Sequence, residues 1–84
     1  MKILYFGRVR DEIGTAEENL PLPEGVTTAG ALRDWLIGQS EGHKLALGPG
    51  SLIKIAVNQT YADTDTPVKE GDEIAVFPPV TGGE

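Results

Sequence analysis

The last ten residues, 75–84, place the tightest limit on how this chain can fold. A strand-like apolar run meets Pro78 and Pro79, and a Gly-Gly pair follows close to the terminus. Proline lacks the N–H that a β-ladder needs, so the strand ends there. Glycine has no side chain, so another protein can close around the backbone of the tail. The pattern predicts a compact domain over residues 1–78 and a flexible tail over residues 79–84.

Composition and charge narrow the class of protein. A chain of 84 residues has room for one small domain, and 39% hydrophobic with 24% charged residues is typical of a globular one. The net charge of −6 argues against nucleic acid and anionic membranes as partners and favours basic protein surfaces. No apolar run approaches the ~20 residues that span a bilayer, and we recognise no signal peptide. We therefore expect a cytoplasmic protein.

Few side chains offer chemistry of their own. Cysteine is absent, so no disulfide, thiolate nucleophile or side-chain sulfur carrier is available. His43 has no neighbour at metal-ligand spacing and is predicted to be a solvated loop residue. Asp63 and Asp65 are predicted to cap a turn rather than to bind calcium. We recognise no pair of nucleophile and base in the sequence, and we expect no bound cofactor or metal.

The spacing of apolar residues predicts an α+β fold. Strands are predicted at residues 2–6, 52–58 and 73–77, with an edge strand or strand exit at residues 19–23. A short helical turn at residues 8–13 ends at Gly14. The one clear helix starts from an N-cap at Thr27 and buries Leu32, Trp35 and Leu36, whereas residues 39–50 are predicted to be a loop with at most a short helical turn. These elements suit a small sheet packed on one main helix.

Residues along nearly the whole chain resemble the small subunit of molybdopterin synthase, a family of ubiquitin-like sulfur carriers. The resemblance implies a ubiquitin-like β-grasp fold. Its most specific part is Gly71-Asp72-Glu73 followed by Ala75-Val76-Phe77-Pro78-Pro79-Val80-Thr81-Gly82-Gly83, and further matches are Tyr5-Phe6-Gly7, Arg10, Ile13-Gly14, Ala31-Leu32-Arg33 and Val57-Asn58-Gln59-Thr60.

The resemblance also implies a mechanism. In the family, an E1-like adenylating enzyme activates the terminal glycine carboxylate with ATP, and a sulfur donor system converts it to a thiocarboxylate. The tail then enters a pocket of the large synthase subunit, which holds the catalytic side chains, and donates sulfur to cyclic pyranopterin monophosphate. Carried over, Gly83 would be the thiocarboxylated residue and Gly82 its narrow approach. The partner-binding residues would be Phe77, Pro78, Pro79, Val80 and Thr81.

Two of these positions carry open questions. Phe77 is predicted either to dock against the large subunit or to belong to the core of the last strand. Glu84 departs from the family pattern, which ends at the second glycine. One extra residue shifts the terminus by up to ~3.5 Å and leaves Gly83 with a peptide carbonyl. We hypothesise that Glu84 is removed before activation; a natural variant that the partners tolerate and a residue added in cloning are the alternatives.

Other functions are compatible with the same tail. A ubiquitin-like protein modifier would join its terminus to a lysine through an isopeptide bond. A sulfur carrier for thiamin synthesis shares the fold and the terminal Gly-Gly, and the run Phe77-Pro78-Pro79-Val80 favours the molybdopterin assignment over it by resemblance. A plain interaction module would use the tail as a docking peptide without covalent chemistry.

Overall fold

The computed structural model describes residues 1–79, which form five strands and three helices. The α+β prediction is confirmed. In chain order the elements are β1 (Lys2–Tyr5), α1 (Gly7–Ile13), β2 (Glu17–Asn19), α2 (Ala29–Ile37), α3 (Glu41–Leu47), β3 (Lys54–Val57), β4 (Thr60–Tyr61) and β5 (Glu73–Phe77).

The strands form one mixed sheet in the order β2-β1-β5-β3-β4. The first and last long strands, β1 and β5, pair in parallel, and every other pairing is antiparallel. The last strand therefore occupies the centre of the sheet, and β1 lies inside it, as the apolar sequence of β1 predicted. A mixed sheet with this strand order, packed on a main helix, is the ubiquitin-like β-grasp fold that the resemblance implied.

The core lies between the sheet and the helices. Along β5 the side chains alternate, so that Ile74 and Val76 are buried on the side of the helices. The helix α2 contributes Leu32 and Leu36, both buried, and burying a side chain of this size contributes about 1.5–3 kcal/mol. Trp35, predicted as a core anchor, is half-buried and packs against the edge of this cluster.

The main helix starts one residue later than predicted. Thr28 is its N-cap, and the Thr28 hydroxyl accepts a hydrogen bond from the Ala31 N–H at 3.1 Å. The N–H groups of Ala29 and Gly30 donate to carbonyls of the turn at residues 63–66, at 2.8 and 3.0 Å. These hydrogen bonds tie the start of α2 to the segment that precedes the last strand.

The prediction of a loop at residues 39–50 is wrong, because residues 41–47 form the helix α3. Ser40 caps this helix, and Ala46 and Leu47 bury its apolar side. Gly42 allows α3 to approach α1 closely, since a Cβ there would lie 2.5 Å from the carbonyl oxygen of Glu12. This close packing compensates for a polar, glycine-rich sequence with weak helical propensity.

Two smaller differences concern the edges of the sheet. The edge strand or strand exit predicted at residues 19–23 shares only Asn19 with the observed edge strand β2 (Glu17–Asn19), which ends before the prolines. The predicted turn at Asn58 and Gln59 is confirmed, and both residues have the positive φ of a two-residue hairpin turn, 51° and 71°. The strand β4 that follows the turn was not predicted, because two residues are too few to show a period.

Candidate functional site

The candidate site is the point where the chain leaves the central strand, β5. Strand β1 runs parallel to β5, and β3 runs antiparallel to it. The last residues of β1 and β5 and the first residues of β3 therefore lie at the same end of the sheet. The residues around this point are those that follow β1, those that precede β3, and Pro78 and Pro79 after β5. The topology therefore places Pro78 and Pro79 between the segment that follows β1 and the segment that precedes β3.

Proline chemistry ends the ladder between β1 and β5. The Phe6 N–H donates to the carbonyl of Val76 at 3.0 Å. In a parallel pair the next rung would run from the N–H of residue 78 to the Phe6 carbonyl, but Pro78 has no N–H. The Phe6 carbonyl instead accepts from the Arg10 N–H at 3.4 Å, at the start of α1. The prediction that Pro78 terminates the strand is thus confirmed.

Phe77 lies outside the buried core. The alternation of β5 that buries Val76 directs the Phe77 side chain to the opposite, open face of the sheet, where it is half-buried. Its ring centroid lies 6.0 Å from that of Tyr61 on β4, with the two planes tilted by 38°. Of the two predicted roles, this position is compatible with docking, which remains a prediction.

Apolar side chains surround the exit of the chain. Phe6 is 47% exposed, Leu52 is 71% exposed and Tyr61 is 75% exposed. The Arg8 guanidinium donates to the Leu52 carbonyl at 2.8 Å and so holds the segment before β3 next to the start of α1. Apolar groups exposed together indicate a binding surface. We call this region the exit surface and define it as Phe6, Leu52, Tyr61, Phe77, Pro78 and Pro79.

The sequence predictions cover this surface in part. Phe77, Pro78 and Pro79 lie at the exit, and both prolines are half-buried. The other predicted site residues, Val80, Thr81, Gly82 and Gly83, lie outside the described residues together with Glu84. Of the residues that sequence reasoning missed, Phe6 falls inside the predicted strand 2–6, whereas β1 ends at Tyr5. The signal was the alternation that buries Ile3 and Tyr5, which directs the next side chain to the opposite face.

The prediction of a solvated His43 is wrong. Its side chain is only 6% exposed, and its Nε2 lies 2.9 Å from Oε1 of Glu18. The other ring nitrogen, Nδ1, lies 2.7 Å from the Ser40 hydroxyl, and the Tyr5 hydroxyl donates to the same Glu18 oxygen at 2.6 Å. The array was not recognised in the sequence. Ser40 and His43 are close in the chain, but Glu18 and Tyr5 come from distant strands.

This Ser-His-Glu array has a structural role. The Ser40 hydroxyl also accepts the His43 backbone N–H at 3.1 Å, which makes it the N-cap of α3. Partial burial raises the pKa of Glu18, but the hydrogen bonds from Tyr5 and His43 outweigh it and hold that pKa below its ordinary value of 4.5. Burial and the Glu18 carboxylate together raise the pKa of Tyr5, so its hydroxyl stays a donor. The array fastens α3 to the sheet.

The part of the chain that the structure describes contains neither a candidate metal site nor a membrane-spanning helix. Within residues 1–79, His, Cys, Asp and Glu side chains do not gather in any group of three or more that could hold a metal ion. None of the helices in that range is long and apolar enough to cross a membrane.

The fold and the exit surface define a class: β-grasp proteins whose central, last strand presents a C-terminal tail. A model of the ThiS family matches residues 3–83, and the chain belongs to this family. The molybdopterin synthase sulfur carrier subunit of Escherichia coli (strain K12) is 43% identical over 83 residues, which cover 99% of each chain. The resemblance seen in the sequence is confirmed.

Solved structures support the same class. SAMP1 from Haloferax volcanii superimposes with a TM-score of 0.79 at 25% identity, over 99% of this chain and 98% of that one. A complex of subunits 1 and 2 of molybdopterin-converting factor from Helicobacter pylori contains a chain that superimposes with a TM-score of 0.65 at 30% identity, over 98% of this chain and 96% of that one.

Proposed function

We propose that this chain is the sulfur carrier and small subunit of a molybdopterin synthase. It delivers sulfur for the conversion of cyclic pyranopterin monophosphate to molybdopterin, in the biosynthesis of the molybdenum cofactor. One observation carries the proposal. The chain leaves the central strand at Pro78, beside exposed apolar side chains, and continues into a Gly-Gly tail. The same chain is 43% identical, over 99% of its length, to a carrier of this kind.

The chemistry places the reacting carbon on Gly83. Attack of its carboxylate on ATP, on an E1-like enzyme, gives an acyl-adenylate and pyrophosphate. A donor then supplies sulfur at the oxidation level of sulfide, either as HS⁻ or as a persulfide whose acyl disulfide a thiol reduces, and this sulfur displaces AMP to leave a thiocarboxylate. In the synthase the sulfur bonds to a substrate carbon as a carbon–oxygen bond there breaks, and water cleaves the acyl–sulfur bond to restore the carboxylate. A chain without cysteine has no side-chain thiol for this task, which supports the assignment to the terminus.

The exit surface is proposed to dock against the large subunit. Phe77, Pro78 and Pro79 belong to it, while Val80 and Thr81 line the tail and Gly82 gives a narrow passage to the reacting group. The Helicobacter pylori neighbour is itself a complex of two such subunits, which supports a large-subunit partner here. With the sulfur on the tail, the catalytic side chains belong to that partner. We place the reaction in the cytoplasm, where ATP is available.

Glu84 is proposed to be removed before activation. In the full chain Gly83 carries a peptide carbonyl rather than a carboxylate, so adenylation would occur on Glu84 instead. A reacting carbon displaced by about 1 Å can cost about 100-fold in rate, and a whole residue displaces it further. The family model also ends its match at residue 83.

A reconstitution with chains of three lengths tests both proposals. The chain ending at Gly83 is expected to form a thiocarboxylate with adenylating enzyme, ATP and sulfur donor, and then to yield molybdopterin with the large subunit. The full-length chain and the chain ending at Thr81 are expected to fold equally well but to give no product. Product from the chain that lacks both glycines would refute the carrier function, and a productive thiocarboxylate on intact Glu84 would refute the removal step. Lysine-linked conjugates without thiocarboxylate would indicate a protein modifier.

A further inference from the structure

The root of the tail, Pro78, rests on Gly7, the first residue of α1, directly after the N-cap Phe6. Gly7 has a φ of +59°, a conformation that favours glycine. A Cβ at Gly7 would lie 3.0 Å from Cγ and 3.2 Å from Cδ of Pro78. Contacts of this length are tighter than nine in ten real Cβ contacts, so a larger residue at position 7 would require the proline ring to shift by a few tenths of an ångström.

This contact comes where backbone hydrogen bonding to β1 stops. The last rung joins the Phe6 N–H to the Val76 carbonyl, and Pro78 has no N–H to form another. Beyond Val76, the position of the chain relative to β1 thus depends on packing, and the ring of Pro78 against the bare Cα of Gly7 provides it. The rigid ring in turn fixes φ of residue 78.

We propose that Gly7 is a positioning residue for sulfur transfer: it sets the direction in which the chain leaves Pro78 and so the place of the reacting group in the partner's pocket. This inference rests on the proposed function. Only four residues lie between Pro78 and Gly83, so a change of direction at Pro78 acts on the reacting carbon over a short length of chain. Transfer of a group between two proteins is sensitive to such displacements.

The test compares Gly7→Ala and Gly7→Val with Gly14→Ala and Gly14→Val, all in chains that end at Gly83. Gly14 has a φ of +96°, and a Cβ there would meet nothing within 4 Å. A substitution at either position therefore strains the backbone in the same way, but only at position 7 would the added Cβ meet Pro78. Each thiocarboxylated variant is mixed with large subunit and cyclic pyranopterin monophosphate, and kcat and KM for the carrier are measured separately.

At Gly7 we expect kcat to fall in the order Gly, Ala, Val, by about tenfold for Val, and any rise in KM for the carrier, which reports disturbed docking of Pro78, to be smaller than the fall in kcat. At Gly14 kcat stays at the wild-type value. In a Pro78→Ala background, Gly7→Val has a smaller effect, because the ring that it displaces is gone. Equal kcat for the Gly7 and Gly14 variants, or a loss confined to KM, would overturn the inference while leaving the carrier function intact.

A second measurement does not depend on the carrier function. NMR of the unmodified wild-type chain is expected to show cross-relaxation between the Gly7 α-protons and the Pro78 ring protons, and to keep it in Gly14→Val, whereas the chemical shifts of the Pro78 ring protons should change in Gly7→Val and not in Gly14→Val. Absence of the cross-relaxation from the wild type would overturn the inference at once. A wild-type chain that shows this contact but yields no product would instead count against the proposed function.

Discussion

Four side chains on the helix-covered side of the sheet show how single residues hold this small domain together. Tyr5 and His43 both bond one oxygen of Glu18, and their rings meet edge to face with centroids 6.0 Å apart. Ser40 completes the set by bonding Nδ1 of His43. His43 is buried, so its polar atoms need partners, and here both ring nitrogens have one. The network joins β1, β2 and α3.

Acid should weaken this network through Glu18. Its folded-state pKa lies below the ordinary value of 4.5, so the ionised carboxylate stabilises the fold above that pH and the contribution is lost as the pH falls through the lowered pKa. Urea unfolding between pH 5 and the acid limit of folding should show this as a falling free energy of unfolding. In Glu18→Gln the fall should be shallower. Its neighbour Glu17, exposed on the same strand, provides the control Glu17→Gln, which should keep the wild-type slope.

The residue scale is also where sequence reasoning was least reliable. His43 stands in a polar, glycine-rich stretch, and its neighbours in the chain indicate a loop. Its burial depends on Glu18, 25 residues away, and on a tyrosine from a third element. Partners that are distant in the chain leave no local pattern, so the environment of a single polar residue could not be predicted.

At the scale of elements, the turn at residues 63–66 and the start of α2 form one unit. The carbonyls of Thr66 and Thr64 accept the first free N–H groups of the helix. Within the turn, the Asp63 N–H donates to the hydroxyl of Thr66 at 2.8 Å, so a threonine caps it where an aspartate was predicted to do so. Glycine at position 30 allows this contact, since a Cβ there would lie 2.3 Å from Cγ2 of Thr64.

A substitution at Gly30 should therefore reverse the usual effect of alanine in a helix. Alanine stabilises an exposed helix by about 1 kcal/mol relative to glycine. Gly30→Ala should instead lower the free energy of unfolding by about 1–3 kcal/mol, because the Thr64 methyl group must move. Gly38→Ala is the control, since its nearest neighbour would be the Trp35 carbonyl oxygen at an ordinary 3.6 Å. Urea denaturation measures both, and the loss should shrink when Thr64→Ser removes the methyl group.

Elements with a clear period were predictable and those built by packing were not. The strands β1, β3 and β5 and the helix α2 show their period in a few residues, and each was predicted within two residues of its bounds or less. The helix α3 was missed, because its stability comes from contact with α1 at Gly42 rather than from its own sequence. Local propensity does not contain that contact.

At the scale of the whole molecule, the order of the strands determines the site. Placing the last strand in the centre of the sheet brings Pro78 next to the start of α1, and the exit surface follows from that arrangement. Spacing alone predicted a sheet and a helix, and the β-grasp fold came only from the family resemblance. A narrow tail after the last strand was predicted from its own sequence, because two prolines and two glycines act through backbone chemistry that needs no tertiary partner, whereas its role in sulfur transfer came from the resemblance.

The intact mass of the protein purified from its native cells tests the central claim most directly. A single spectrum reports both the last residue and any exchange of oxygen for sulfur. The account predicts a population that ends at Gly83 and carries one sulfur in place of one carboxylate oxygen, lost on treatment that hydrolyses thiocarboxylates. The account would be contradicted if cells that make molybdopterin contained only the intact chain, with Glu84 in place and without sulfur.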